Sequence, residues 1–165
     1  MHPLVDEATK KAAVAWLSIP GGATGIAVWC LRIEDSLYVV SGPGEQPAPG
    51  LADAEGCRVS VRGEHGGRIV SWPVTVARVW PQSEEWGAAA SQLAGKRLNA
   101  SGTNEETVAR WAANCVVSRL TPAGEPTEAG PTLSGDSGAA APRPTPAAQR
   151  TAKPLRLHRV RRPRA

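Results

Sequence analysis

"RIVSWPVTVARVW", residues 68–80, is the stretch whose reading decides the fold. Val70, Trp72, Val74, Val76 and Trp80 recur at every second or fourth position, so one face is apolar along nearly the whole run. That period belongs to a half-buried strand. Pro73 interrupts it, and a proline has no N–H to give a ladder, so it marks an edge position or a bulge. A strand this long that must bend suits a closed barrel better than a flat sheet.

The neighbouring segments extend the pattern. "CRVSVRG" (57–63) sets Cys57, Val59 and Val61 against Arg58, Ser60 and Arg62, and "EHGG" (64–67) reads as the hairpin turn, with Gly66 and Gly67 supplying positive φ. Further upstream, "TGIAVWCLRI" (24–33) and "LYVVS" (37–41) form a second hairpin around Glu34, Asp35 and Ser36. The first of these runs is apolar on both faces.

Helices flank the strands. Val5, Ala8, Ala12, Ala13, Trp16 and Leu17 have helical spacing, Asp6 and Glu7 favour a helix start, and "IPGG" (19–22) stops the run, so a helix is expected over residues 5–17. Ser83 caps a second helix through Ala94, closed by Gly95, Lys96 and Arg97. Thr103 and Glu106 have capping-box spacing for a third, with Val108 and Trp111 on one side. "CVVSRL" (115–120) reads as the last strand. The order is antiparallel throughout, with no βαβ spacing. The expected class is mostly β (α+β): a small antiparallel barrel flanked by short helices, and not a Rossmann fold.

From Ala123 the periodicity ends. Residues 123–165 are rich in Pro, Ala, Gly, Ser and Thr, so the expected organisation is one domain over 1–122 and a disordered tail over 123–165. The net charge of +4 is unevenly placed: residues 1–122 hold 11 Lys and Arg against 12 Asp and Glu, and the tail holds 8 against 3. The basic character therefore belongs to the tail. Its end, "RLHRVRRPRA", would bind polyanions weakly and non-specifically, without an aromatic for base stacking.

Cys30, Cys57 and Cys115 are odd in number, sit in apolar stretches and form no C-x-x-C, which reads as buried reduced thiols. The first residues lack a secretory apolar core, and no run nears the roughly 20 apolar residues of a membrane span, so the expected location is cytoplasmic. "SGDSGA" (134–139) resembles a serine-protease nucleophile segment, but His2, His65 and His158 lie in a terminus, a turn and the tail. The same scatter of His and Cys gives no metal-ligand spacing. Among the six Trp, core or interface packing explains Trp16, Trp80, Trp86 and Trp111. Trp29 and Trp72 are retained as candidate groove walls.

The loop "SGPGEQPAPGL" (41–51) joins the two hairpins with three Gly, three Pro and one charge, Glu45. A plain irregular connection and a ligand-binding loop both account for that composition. Together with the N-terminal helix, the two hairpins and "RIVSWPVTVARV" leading into a helix, this loop resembles the FMN-binding split barrel. That is the pyridoxamine phosphate oxidase-like superfamily, with its actinobacterial deazaflavin-dependent branch. The resemblance covers residues 5–122. It implies a homodimer with FMN or a deazaflavin coenzyme in an interface groove, and redox chemistry carried by that cofactor.

Carried onto this chain, the resemblance implies contacts from Ser41, Gly42, Gly44, Gln46, Pro47, Gly50 and Leu51, with Trp29 and Trp72 as walls. Gly42, Gly44 and Gly50 would let backbone amides approach a phosphate. Pro43, Pro47 and Pro49 would hold the loop open, and Gln46 would bond the flavin's pyrimidine edge. Arg62 is the best-placed phosphate cation. Family oxidases carry an Arg and a Lys before the loop, whereas this strand has only Arg32 and the loop has neither type. A backbone-held cofactor, a decayed site, or another ligand such as heme on a non-catalytic module all fit that departure. A basic tail docking acidic partners is a further reading.

Overall fold

The computed structural model of the chain describes residues 1–22, 24–63, 68–99 and 101–133. Helix α1 (Pro3–Lys10) begins with Pro3 at its first position and with the His2 side chain accepting from the Leu4 N–H at 3.1 Å. It stops well before residue 17, and the chain forms strand β1 (Val14–Ser18) instead. Trp16 and Leu17 therefore point to opposite faces, with Ala15 and Leu17 buried. The expected helix over 5–17 thus overran by seven residues. Burial alternates along "VAWLS", with Ala15 and Leu17 turned inward, and pairing with strands on both sides outweighs the weak helical spacing.

The next run breaks into β2 (Ile26–Trp29) and β3 (Leu31–Ile33), followed by β4 (Ser36–Ser41), β5 (Gly56–Arg62) and β6 (Arg68–Val79). Helices α2 (Glu84–Lys96) and α3 (Asn104–Asn114) intervene before β7 (Val116–Pro122) and the short β8 (Glu128–Ala129). The hydrogen-bonded path runs β2-β1-β5-β6-β7-β4-β3, all antiparallel, with β8 beside β6. Its two ends, β2 and β3, are consecutive pieces of one stretch separated by Cys30. One stretch thus supplies both edges, and the sheet nearly closes on itself. Among the described residues this is a mostly β, nearly closed antiparallel split barrel carrying three short α-helices. The "EHGG" turn lies outside the described residues.

Pro73 is neither at an edge nor in a bulge. It sits opposite Arg58 of β5. On its other side the β7 ladder begins at Val74, and β8 pairs with Val70 and Ser71. Pro73 thus occupies the seam between β7 and β8, where its missing N–H removes no ladder bond, and its carbonyl accepts from Ala123 N–H at 2.9 Å. The register irregularity falls between Val61 and Arg62 instead. Nor does Trp80 share the buried face: Val70, Trp72 and Val74 enter the barrel, while Trp80 is 56% exposed with Arg78 stacked 4.0 Å from its ring centre.

Two cores follow from the strand faces. Leu17, Val28, Val39, Val59, Val70 and Trp72 fill the barrel. Tyr38 and Val40, on the other face of β4, pack with Trp86, Leu93 and Trp111 of α2 and α3. That explains why "LYVVS" is apolar at consecutive positions: β4 is buried on both sides. Each fully buried Val or Leu among these contributes about 1.5–3 kcal/mol. Both helix caps are as the sequence indicates, Ser83 for α2 and a Thr103/Glu106 capping box for α3.

The chain beyond Pro122 keeps to the barrel for a further stretch. Thr127 N–H donates to Ser71 O at 2.8 Å, β8 pairs with β6, and Glu128 meets Arg68 at 3.4 Å. Thr127, Glu128 and Ala129, inside the expected tail, thus hold to β6. The remainder of the expected tail, including "SGDSGA" and the basic end, lies outside the described residues.

Candidate functional site

Glu45, the lone charge of loop 41–51, has a side chain with no exposed surface. Its Oε1 accepts from Arg110 Nη2 at 3.0 Å and Trp111 Nε1 at 2.9 Å. Its Oε2 accepts from Arg97 Nε at 2.9 Å and Trp29 Nε1 at 3.2 Å. All four acceptor positions of the carboxylate are used, which is how a buried charge becomes tolerable. Burial pushes this carboxyl up, but the hydrogen bonds from Trp111, Arg110 and Arg97 outweigh it and hold it below the ordinary carboxylate range. One side chain thus ties the loop to β2, α2 and α3.

The loop's glycines answer to the same packing. Gly42 has φ 141°, and a Cβ there would lie 2.9 Å from the Cys115 Cα. Gly44 has φ 80°, and its Cβ would lie 3.0 Å from Arg110 Nη1. The space beside both is filled by the chain's own atoms. Pro43 O accepts from Arg110 Nη1 at 3.2 Å, fixing the loop further.

Beside this junction lies a cavity of about 470 Å³, bounded by the end of α1, the β2–β3 break, Gln46 and the end of α2. Trp29, Cys30 and Leu31 line it, with Lys10, Lys11, Lys96 and Arg97 supplying cations. Its size falls within the roughly 300–1,000 Å³ of small-molecule sites. Lys10 is paired with Asp6 at 2.9 Å and Glu7 at 3.1 Å. Lys11 and Lys96 have no ion-pair partner among the described residues. Gln46 Oε1 accepts from the Trp29 N–H, leaving its amide N–H groups for a ligand.

Of the expected contacts, Trp29 and Gln46 meet in this cavity and the others are dispersed. Ser41 pairs with Val116 in the β4–β7 ladder, and Gly42 and Gly44 face α3 and Cys115. Pro47 is exposed on the loop, Gly50 begins a 3-10 turn at φ 82°, and Leu51 is buried in the barrel. Arg62 stacks 4.7 Å from the Trp16 ring centre, beside a separate groove of about 360 Å³ against α1. Trp72 is 0% exposed, so it packs the barrel and presents no wall to a groove. Arg32 is bound to Asp6 at 2.6 Å.

Sequence reasoning missed Glu45, Arg97 and Arg110, as well as the three lysines. The available signal was that Glu45 is the single charge in an otherwise neutral, stiff loop. Lys96 and Arg97 read as helix-end cations, and nothing in the linear order brings Lys11 across to them. A larger, shallower depression of about 770 Å³ near Ile19, Cys57, Arg58 and Pro73 contains none of the expected residues. Among the described residues, no group of three His, Cys, Asp or Glu could hold a metal, and no helix is long and apolar enough to cross a membrane.

The three cysteines are unpaired and buried. Burial pushes the Cys30 thiol up to about 12, so at the cavity wall it is protonated at neutral pH.

The solved structure of HutZ, the heme storage protein from Vibrio cholerae, matches this chain with a TM-score of 0.55. The match covers 76% of this chain and 92% of that one at 14% identity, a likeness of fold alone. No family model and no curated protein matches the sequence.

Proposed function

We propose that this chain is a small-molecule-binding split-barrel protein whose cavity takes a flat, conjugated ligand of the flavin type, FMN or a deazaflavin coenzyme. The observation that carries this reading is the meeting of Trp29 and Gln46 on one cavity of about 470 Å³ that is edged by cations. The half-buried indole and the aliphatic floor suit a ring, and the Gln46 amide suits the pyrimidine carbonyls. Storage of heme by a protein of like fold supports binding as a use for this architecture.

Heme suits this cavity less well. Its described lining contains no His or Met, and the Cys30 thiol stays protonated, so iron would find no axial ligand there. Electron transfer is the second reading: a bound flavin supplies the redox chemistry, and Trp29, Gln46 and the cations supply binding and orientation. The ionisable groups lining the cavity are Lys, Arg and the Cys30 thiol, which favours binding over acid–base catalysis. The same proposal includes a homodimer, in which a second copy covers exposed apolar side chains such as Leu98, 78% exposed at the cavity's edge.

An absorbance titration with FMN, the deazaflavin coenzyme and hemin tests the reading. Saturable flavin or deazaflavin binding, weakened in Gln46→Ala and Lys11→Glu, is the expected result. Failure of both to bind, or hemin binding alone, overturns the flavin reading.

A further inference from the structure

Arg97 is held in an unusual way for a residue at a helix end. Its Nε donates to the buried Glu45 carboxylate at 2.9 Å, and its Nη1 donates to the Leu98 carbonyl. Its Nη2 has no partner among the described residues, and the side chain, 24% exposed, lines the cavity with its guanidinium carbon 5.8 Å from the Trp29 ring centre. Two of the three nitrogens are fixed and the third is left over. A helix C-terminus favours a cation at this point, but it does not require one immobilised through Nε by a carboxylate from another loop.

The charges also fail to cancel. One carboxylate, Glu45, lies between two guanidiniums, Arg97 and Arg110, so the junction retains one positive charge. Lys11 and Lys96 add to it on the cavity side. A guanidinium already oriented loses little freedom when it takes up an anion, and its remaining Nη2 can give charge-assisted hydrogen bonds to phosphate oxygens.

We propose that Arg97 is the specificity-determining residue of this cavity, selecting ligands that carry a phosphate or similar anionic arm, and that Glu45 is its positioning residue. The proposal rests on the cavity being the binding site. It adds which residue reads the anion and what holds that residue in place.

Riboflavin and FMN share one ring and differ by a phosphate, so their affinity ratio isolates the arm. Fluorescence titration of the wild type is expected to favour FMN by about tenfold or more, the scale of one charge-assisted hydrogen bond. Arg97→Gln should bring the ratio close to one. Glu45→Gln should lower it while the protein still melts cooperatively. Arg78→Gln, which removes a charge from β6 away from the cavity lining, should leave it unchanged.

Equal binding of the two flavins by the wild type, or an unchanged ratio in Arg97→Gln, overturns the proposal while leaving the binding site standing. An unchanged ratio in Glu45→Gln overturns the positioning role. Should neither flavin bind, the flavin reading fails separately, and inorganic pyrophosphate then tests Arg97 directly. A saturable shift of the Arg97 Nε–Hε NMR resonance that is lost in Glu45→Gln supports the proposal, and its absence in the wild type overturns it.

Discussion

Trp111 Nε1 donates to Glu45 Oε1 at 2.9 Å, joining the middle of α3 to the centre of a loop 66 residues earlier in the chain. Glu45 is thereby a structural keystone as well as the neighbour of a cavity. Replacing Glu45 with Ala should cost about 3 kcal/mol, the lower end for removing one partner of a buried pair, because Arg97 and Arg110 retain a route to water. Urea denaturation with an unchanged m-value would register the loss. A cost under a few tenths of a kcal/mol would show that the junction carries no stability.

The pH dependence follows from the same carboxylate. Its folded pKa lies below the ordinary value of 4.5, so its contribution is complete above that value and is lost as pH falls through the lowered folded one. Stability curves of the wild type and Glu45→Gln should therefore converge towards low pH. Parallel curves from pH 7 downward would assign the acid sensitivity to other groups.

Two glycines should respond in opposite directions to alanine. At Gly42, φ 141° and a Cβ 2.9 Å from the Cys115 Cα make Gly42→Ala destabilising by about 2 kcal/mol or more. At Gly87, inside α2 with nothing within 4 Å, Gly87→Ala should stabilise by about 0.5–1 kcal/mol. Thermal melts of the two variants side by side test both signs.

A chain ending at Pro122 should be less stable than one ending at Leu133. The shorter chain loses β8, the Thr127–Ser71 backbone bond and the Glu128–Arg68 contact. Equal melting temperatures would mean that β8 decorates the barrel without supporting it.

The thiols should resist modification in the native state. Burial pushes Cys30 up to about 12 and Cys57 up to about 11, so neither presents a thiolate at pH 8. Reaction with a chromogenic disulfide should be slow before unfolding and reach three thiols per chain after it.

Local chemistry made much of the fold legible. The Ser83 cap, the Thr103/Glu106 capping box and the alternation in β5 and β6 are each decided within a few residues, by unsatisfied helix-end N–H groups or by the two-residue period of a strand. Residues 14–18 were illegible for the converse reason. Their helical spacing is weak, and their strand state depends on β2 and β5 lying to either side. Pro73 likewise found its place only through a seam made by two segments that come some fifty residues later.

The sequence by itself therefore determined an antiparallel barrel with short helices, the caps of two of them, and a stiff, nearly neutral loop that a plain connection and a binding site explain equally well. Only the tertiary structure decided what that loop does. Glu45 finds Trp29, Arg97, Arg110 and Trp111, and Lys11 comes to the same cavity as Lys96. The physical reason is that a buried charge must be matched by donors wherever the fold can bring them, and those donors come from elements that no local period or spacing connects.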